Sequence, residues 1–191
     1  MLLPAIEARF ACRRFVSGET PDAGQLAELI EAGRLAPSAF GLEPWHFVPV
    51  VEPVQRAAVA RACFDQPAAE TAGAFIVVIA LVDALDPDSD YVRNRFEAEA
   101  RGGDTAPVYE AYRAFYRAET MASWACGQCN FAVAHMLLQA AHTGWGSCPI
   151  GGFDAVRMSN ALALSRAEVP AVAIALGRCA HSAAERLRKP I

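Results

Sequence analysis

The sequence predicts an α+β fold, with helices layered on both sides of one central sheet in a three-layer α/β arrangement. Three observations carry this. Short apolar runs at 45–51, 74–82 and 170–176 read as strands; the segments between them carry helical spacing; and a 191-residue chain that is 54% hydrophobic and 20% charged can bury a substantial core. That length predicts a single domain over residues 1–191, and no repeat, low-complexity tract or linker divides it. The same composition excludes a disordered chain. A net charge of −4, from 17 basic and 21 acidic residues, leaves no overall positive field for nucleic acid or an anionic membrane surface. The longest uncharged apolar run, 72–82, has about 11 residues where a membrane helix needs about 20. Glu7 and Arg9 stand where a signal-peptide core would be, so the expectation is a cytoplasmic protein with no membrane segment. Six cysteines, scattered in a chain large enough to need no staples, are expected to be reduced thiols.

Taken in order, Pro21 to Arg34 reads as an amphipathic helix through Leu26, Leu29 and Ile30, with Thr20 as N-cap, Pro21 as first residue and Pro37 past its end. Trp45 to Val51 is a β-branched and aromatic run that Pro49 confines to an edge or irregular strand. Arg56 to Ala62 is a helix, and Ala74 to Val82 a strand buried on both faces. From about 83 to 107, acidic residues, Pro87, Gly102 and Gly103 predict a mobile excursion with one short helix around Tyr91 to Ala100. Val108 to His142 has no proline and one glycine, which predicts one or two long helices apolar on more than one face. Pro149 to Asp154 reads as a turn, with Asp154 capping a helix to Leu162; Pro170 to Leu176 is a third buried strand, and the arm at about 180–191 has no periodicity.

Several constellations could carry chemistry. Arg9, Arg13 and Arg14 cluster near the start, and Arg186, Arg188 and Lys189 near the end, of an acidic chain. Alternate spacing sets Arg186 and Arg188 on one side of an extended arm, an arrangement that can clasp a phosphate with forked donors or simply solvate a tail. The Pro37 to Trp45 loop, with Gly41 and flanking prolines, is either a stiff platform for a flat ligand or an ordinary connector. Gly144 to Gly152 is glycine-rich but follows a helix and lacks the dinucleotide fingerprint. Cys126 and Cys129 have half a zinc spacing without a second pair, which favours packing thiols and no metal. No HExxH, GxSxG or P-loop occurs.

In order, Arg9-Phe-Ala-Cys-Arg-Arg-Phe15, Ala36-Pro-Ser-Ala-Phe-Gly-Leu-Glu-Pro-Trp-His-Phe47, Gln128, Pro149-Ile-Gly-Gly-Phe-Asp154, Leu176-Gly177 and Arg186-Leu-Arg-Lys-Pro190 resemble the FMN-dependent nitroreductase family over nearly the whole chain. The resemblance implies a mixed sheet flanked by helices in an interlocked homodimer whose C-terminal arm crosses to the partner, with FMN at the interface and NADH or NADPH as donor. It implies that Arg9, Arg186 and Arg188 hold the phosphate, that Phe10 and Ala11 also belong to the cofactor site, and that Arg13 faces the pyrimidine edge. Pro37, Ser38 and Gly41 would pack on the ring from the other subunit, with Gln128 near the cofactor. Pro149, Ile150, Gly151 and Gly152 would form the turn beside its reactive nitrogen. Arg13, Gly151 and Gly152 are therefore the expected catalytic positions. Physically, an Arg beside a reduced flavin stabilises its negative charge, and glycines leave a ring face open to substrate.

The chain departs from the family pattern at Ala11, Gly41 and Glu43, and where relatives carry Asn and Lys it has Asp65, Gln66 and Ala68. The implied activity is ping-pong electron transfer from NAD(P)H to a small acceptor such as a nitroaromatic or quinone. Reductive dehalogenation, flavin fragmentation, biosynthetic dehydrogenation or flavin binding without turnover remain open. In or beside the excursion, Tyr91, Arg93, Arg95, Glu97, Tyr109 and Tyr112 are expected either to meet a polar substrate or to decorate a solvated helix.

Overall fold

The computed structural model describes residues 1–190; Ile191, the end of the expected arm, lies outside the described residues. Strands β1 (Trp45–Val50), β2 (Ala74–Leu81), β3 (Gly146–Ile150) and β4 (Glu168–Gly177) form a sheet in the order β1-β2-β4-β3. Every neighbouring pair is antiparallel. Of the mixed pairing that the resemblance implies, one chain shows a single parallel bridge, between Ala11 and Ser147.

Strand alternation divides the core into two layers of contact. Ile76, Val78 and Ala80 of β2, with Val172, Ile174 and Leu176 of β4, pack under α2 (Ala23–Arg34) and α7 (Ala118–His142). Phe75, Val77 and Ile79, with Ala173 and Ala175, face α3 (Pro53–Ala62), α4 (Pro67–Glu70) and α8 (Ala155–Leu162). Burial on both faces explains the continuous apolar run of β2, whose residues 74–80 are all buried. β1 lies at the edge as Pro49 requires, because a proline lacks the N–H that a second neighbour would need. Pro170 pairs with Ile79 at a bulge, where Ala171 is skipped.

Several boundaries differ from expectation. The cap of α2 is Asp22, not Thr20: its carboxylate accepts from Gln25 N at 2.8 Å while the Gln25 side chain accepts from Asp22 N at 2.9 Å, and this reciprocal pair starts the helix two residues later. A short helix α1 (Pro4–Ala8) precedes the first arginine cluster. The glycine-rich stretch after α7 is a strand, β3, that includes Pro149 and Ile150 of the expected turn. Its pairing with β4 is a tertiary contact that local glycine content hides. The expected long helical segment is two helices, α6 (Ala106–Phe115) and α7, parted at Tyr116 and Arg117. The excursion carries a 3-10 turn and α5 (Asp90–Ala100) and is packed down, with Leu85, Val92 and Phe96 buried in the core under α6. No helix among the described residues is long and apolar enough to cross a membrane.

The expectation of six reduced cysteines is corrected: Cys12 and Cys179 form a disulfide, their Cα atoms 5.8 Å apart. Sequence spacing hides it because 167 residues separate the two. The other four are free, and burial pushes the Cys129 thiol on α7 up to about 12, in keeping with an inert packing role.

Candidate functional site

The segment 9–16 is a strap laid against the β3 end of the sheet. Cys12 N donates to Ser147 O at 3.0 Å, and Val16 N donates to Arg178 O at 2.8 Å. Ala180 N donates to Arg14 O at 2.9 Å, so the root of the C-terminal arm pairs with the strap. Ala11 is fixed by its bridge to Ser147, and Phe10 lies 5.8 Å from the His181 ring. Arg13 points back to the sheet, with Nη1 3.8 Å from Cys148 Sγ, while its own N–H donates to His181 Nε2 at 3.2 Å. Burial raises the Cys148 thiol, and the Arg13 charge opposes that rise.

The two arginine clusters meet here. Arg186 donates to Ile6 O and Glu7 O, each at 2.9 Å, and to Arg9 O, so it clips the end of α1 and draws the arm over the strap. Arg188 makes only a local bond to Leu187 O. Arg9 is held below the usual guanidinium range, first by burial and then by the charges of Arg186 and Arg188. Among the described residues none of the three has a carboxylate within ion-pair distance. Arg9 and Phe10 line a cleft of about 310 Å³ with Trp145, Ser147 and Cys179.

At the far end of β3, Gly151 and Gly152 are exposed, and a Cβ on either would meet nothing within 4 Å. Backbone here is open to close approach. Gln66 Nε2 donates to Cys63 O at 3.0 Å and reaches Gly152 O at 3.4 Å, and Asp154 N donates to Ala62 O at 2.9 Å, so the turn is tied to the α3 layer. Asp154 caps α8 through Arg157 N at 3.0 Å, as its sequence position predicts.

The Pro37 to Trp45 loop is built differently. Phe40, Gly41 and Glu43 all take left-handed backbone, at φ 58°, 62° and 43°. Bonds from α5, from α7 and from within the loop hold them. Gln128 Oε1 on α7 accepts from Ala39 N at 2.9 Å, and Ser38 Oγ accepts from Glu43 N at 2.8 Å. Arg95 on α5 donates to Gly41 O from Nε and Nη2 at 2.9 and 2.7 Å, and its Nη2 lies 2.6 Å from Glu43 Oε1. Tyr91 OH lies 2.8 Å from the carbonyls of Leu42 and Glu43. The Phe40 ring meets Tyr112 edge-on at 5.2 Å, and Tyr112, fully buried, donates to Leu85 O at 2.6 Å.

Tyr91, Arg95 and Tyr112 therefore brace this loop through bonds and ring contacts within the chain, instead of decorating a solvated helix. The available signal was the four-residue spacing of Tyr91 and Arg95, which puts both on one helix face.

The predicted residues thus fall into two groups. Arg9, Phe10, Ala11, Arg13, Pro149, Ile150, Gly151, Gly152, Arg186 and Arg188 belong to the strap, arm and β3; Pro37, Ser38, Gly41 and Gln128 belong to the braced loop and α7. No hydrogen bond or ion pair among the described residues joins one group to the other.

The nitroreductase family model matches residues 6–178. A Thermus thermophilus protein named NADH dehydrogenase is 33% identical over 99% of this chain and 95% of its own length. A Helicobacter acinonychis protein named oxygen-insensitive NADPH nitroreductase is 30% identical over 97% of this chain and 90% of its own. The fold matches a nitroreductase-like protein of Streptococcus mutans at a TM-score of 0.86, with 18% identity and coverage of 98% of this chain and 93% of that one. A structure from Exiguobacterium sibiricum, described as a nitroreductase in complex with FMN, matches at 0.81, with 21% identity and coverage of 97% and 91%. With a family model matching residues 6–178, all of both residue groups except Arg186 and Arg188, and full-length relatives at this level of identity, the chain belongs to the nitroreductase family.

Proposed function

We propose that the protein is an FMN-dependent oxidoreductase that takes electrons from NADH or NADPH and passes them, by a ping-pong mechanism, to a small acceptor such as a nitroaromatic or a quinone. The observation that carries this is the convergence of Arg9, Arg186 and Arg188 with no counter-charge among the described residues. Three guanidiniums held together repel one another, and a phosphate monoester relieves that repulsion with forked, charge-assisted bonds. The exposed glycine pair at the end of β3 fits the same ligand, since its backbone can lie against a planar ring without a Cβ intervening. The names of the Helicobacter and Thermus relatives, and the FMN complex of the Exiguobacterium structure, support the reading.

In this proposal Arg9 and Arg188 bind the phosphate, and Arg186 positions the arm that brings them together. FMN supplies the two-electron centre between nicotinamide and acceptor. Arg13 places a positive charge where reduction adds negative charge, which favours the reduced form. Gly151 and Gly152 orient the ring edge and leave room for a stacked substrate. The braced Pro37 to Gly41 loop and Gln128 close the site from the partner subunit of a homodimer working in the cytoplasm, the role of the dimer being to join two residue groups that stand apart in one chain. Leu2, Leu3, Leu35, Phe131 and Leu187, all exposed in the single chain, are apolar surface that such an assembly would cover.

The test is the absorbance spectrum of the purified protein, followed by anaerobic titration with NADH and then NADPH. A flavin spectrum that bleaches with one nicotinamide and recovers with a nitroaromatic or quinone is expected. Colourless protein that binds no added FMN overturns the proposal. Sedimentation checks the assembly, where a flavin-loaded monomer contradicts the dimer.

A further inference from the structure

We infer that Cys12, Cys179 and His181 form a reversible thiol–disulfide exchange site, whose reactants are small or protein dithiols and whose bridge latches the C-terminal arm to the strap. Its effect on cofactor binding rests on the flavin reading above; its existence does not. The bridge joins the strap, three residues after Arg9, to the root of the arm that carries Arg186 and Arg188. A ring nitrogen of His181 and both sulfurs lie within 4.8 Å of one another.

The three groups differ in access in the way exchange requires. Cys12 is fully buried, Cys179 is half-buried and His181 is exposed, so an incoming thiolate reaches Cys179 Sγ and not Cys12. That attack forms a mixed disulfide at Cys179, breaks the protein S–S bond and leaves its electron pair on Cys12 Sγ, which takes a proton through His181. The second thiol of the reductant then attacks its own mixed sulfur, releasing Cys179 as a thiol and the reductant as its internal disulfide. Two electrons and two protons pass from dithiol to protein. The reduced state is also accommodated, because Cys12 Sγ lies 3.0 Å from Arg14 O, an acceptor that only a thiol can use. Disulfides in reducing compartments are generally of this exchanging kind.

Breaking the bridge leaves the arm held by its backbone bonds to the strap and by the exposed Arg186 contacts. Those bonds involve neither sulfur, so they remain when the bridge is reduced and the arm is left more weakly held.

The experiment uses the purified full-length protein. Alkylation in denaturant is expected to count four thiols without reductant, matching the free cysteines, and six after dithiothreitol. Native protein treated with dithiothreitol should be cut by trypsin after Arg186 and Arg188 about tenfold faster, as expected when a local segment opens more often. The variant carrying Cys12→Ser and Cys179→Ser should be cut at that fast rate with or without dithiothreitol. His181→Gln should slow reduction of the bridge while leaving the oxidised arm protected. FMN affinity should fall severalfold in the reduced wild type.

Six thiols before reduction, or arm cleavage in the wild type that ignores the redox state, overturns the latch. Redox-dependent cleavage in a protein that binds FMN in neither state upholds the latch and overturns the flavin reading.

Discussion

The braced loop at 38–43 and the strap-and-arm region at 9–16 and 180–190, which the proposed dimer would join into one site, have opposite construction. In the loop, left-handed backbone at Phe40, Gly41 and Glu43 is over-determined by Arg95, Tyr91, Ser38 and Gln128. These bonds lie within the chain, so in the proposed site the loop is a preformed wall that needs little further ordering when a ligand arrives. In the strap and arm, positive charges gather without counter-charges among the described residues, and one of them, Arg9, is also partly desolvated. In the proposed site, a bound anion would relieve the repulsion and complete the organisation of this region. One region contributes shape and the other contributes charge.

The largest expected effect separates the two constructions. Replacing Arg9 and Arg188 by Ala should weaken FMN binding by about tenfold or more per arginine while leaving the stability of the apoprotein unchanged or raised, because each removal relieves like-charge repulsion. Arg186→Ala should lower both, since it also unclips α1. Paired flavin-fluorescence titrations and urea melts of the apoproteins check this, and equal behaviour of all three variants would break the distinction.

Arg13→Gln sharpens the charge side of the comparison. It should keep FMN bound but lower the flavin midpoint by about 30–80 mV, taking about 30 mV per 1.4 kcal/mol for a two-electron couple. Lys at 13 should restore part of the shift. Identical midpoints for wild type and Arg13→Gln would reduce Arg13 to a structural contact with Cys148.

For the wall, Arg95→Ala removes the donors to Gly41 O and leaves Glu43 without its cation, which should cost about 1–3 kcal/mol of stability in urea melts. Its FMN affinity should fall less than in the Arg9 variant. A full loss of binding without loss of stability would mean that Arg95 acts on the ligand and not on the loop. The smallest effect is a control outside both regions: Asp22→Ala breaks the α2 capping box and should cost about 1 kcal/mol, with no change in flavin affinity or midpoint.

Local chemistry made much of the fold legible. The buried run of β2, the edge position of β1 and the Asp154 cap each follow from side chains within a few residues, and the structure places them as expected. β3 was illegible because Gly146, Ser147 and Pro149 carry no strand propensity, and its pairing with β4 joins residues 23 to 31 positions apart. In the excursion the expected short helix is α5, while acidic residues and glycines hide the buried stripe of Leu85, Val92 and Phe96.

The sequence by itself determined the two arginine clusters, the glycine pair and the loop carrying Ser38 and Gly41, because the residue types that chemistry requires are written directly in the chain. Only the tertiary structure decided what those residues do to one another. It turned Arg186 into a clip and left Arg9 and Arg188 uncompensated, made Arg95 and Tyr91 braces, and set Cys12 beside Cys179 across 167 residues. The physical reason is that charge compensation, backbone strain and sulfur pairing depend on distances in space, and contacts between distant segments are fixed by packing of the whole core and not by any local pattern.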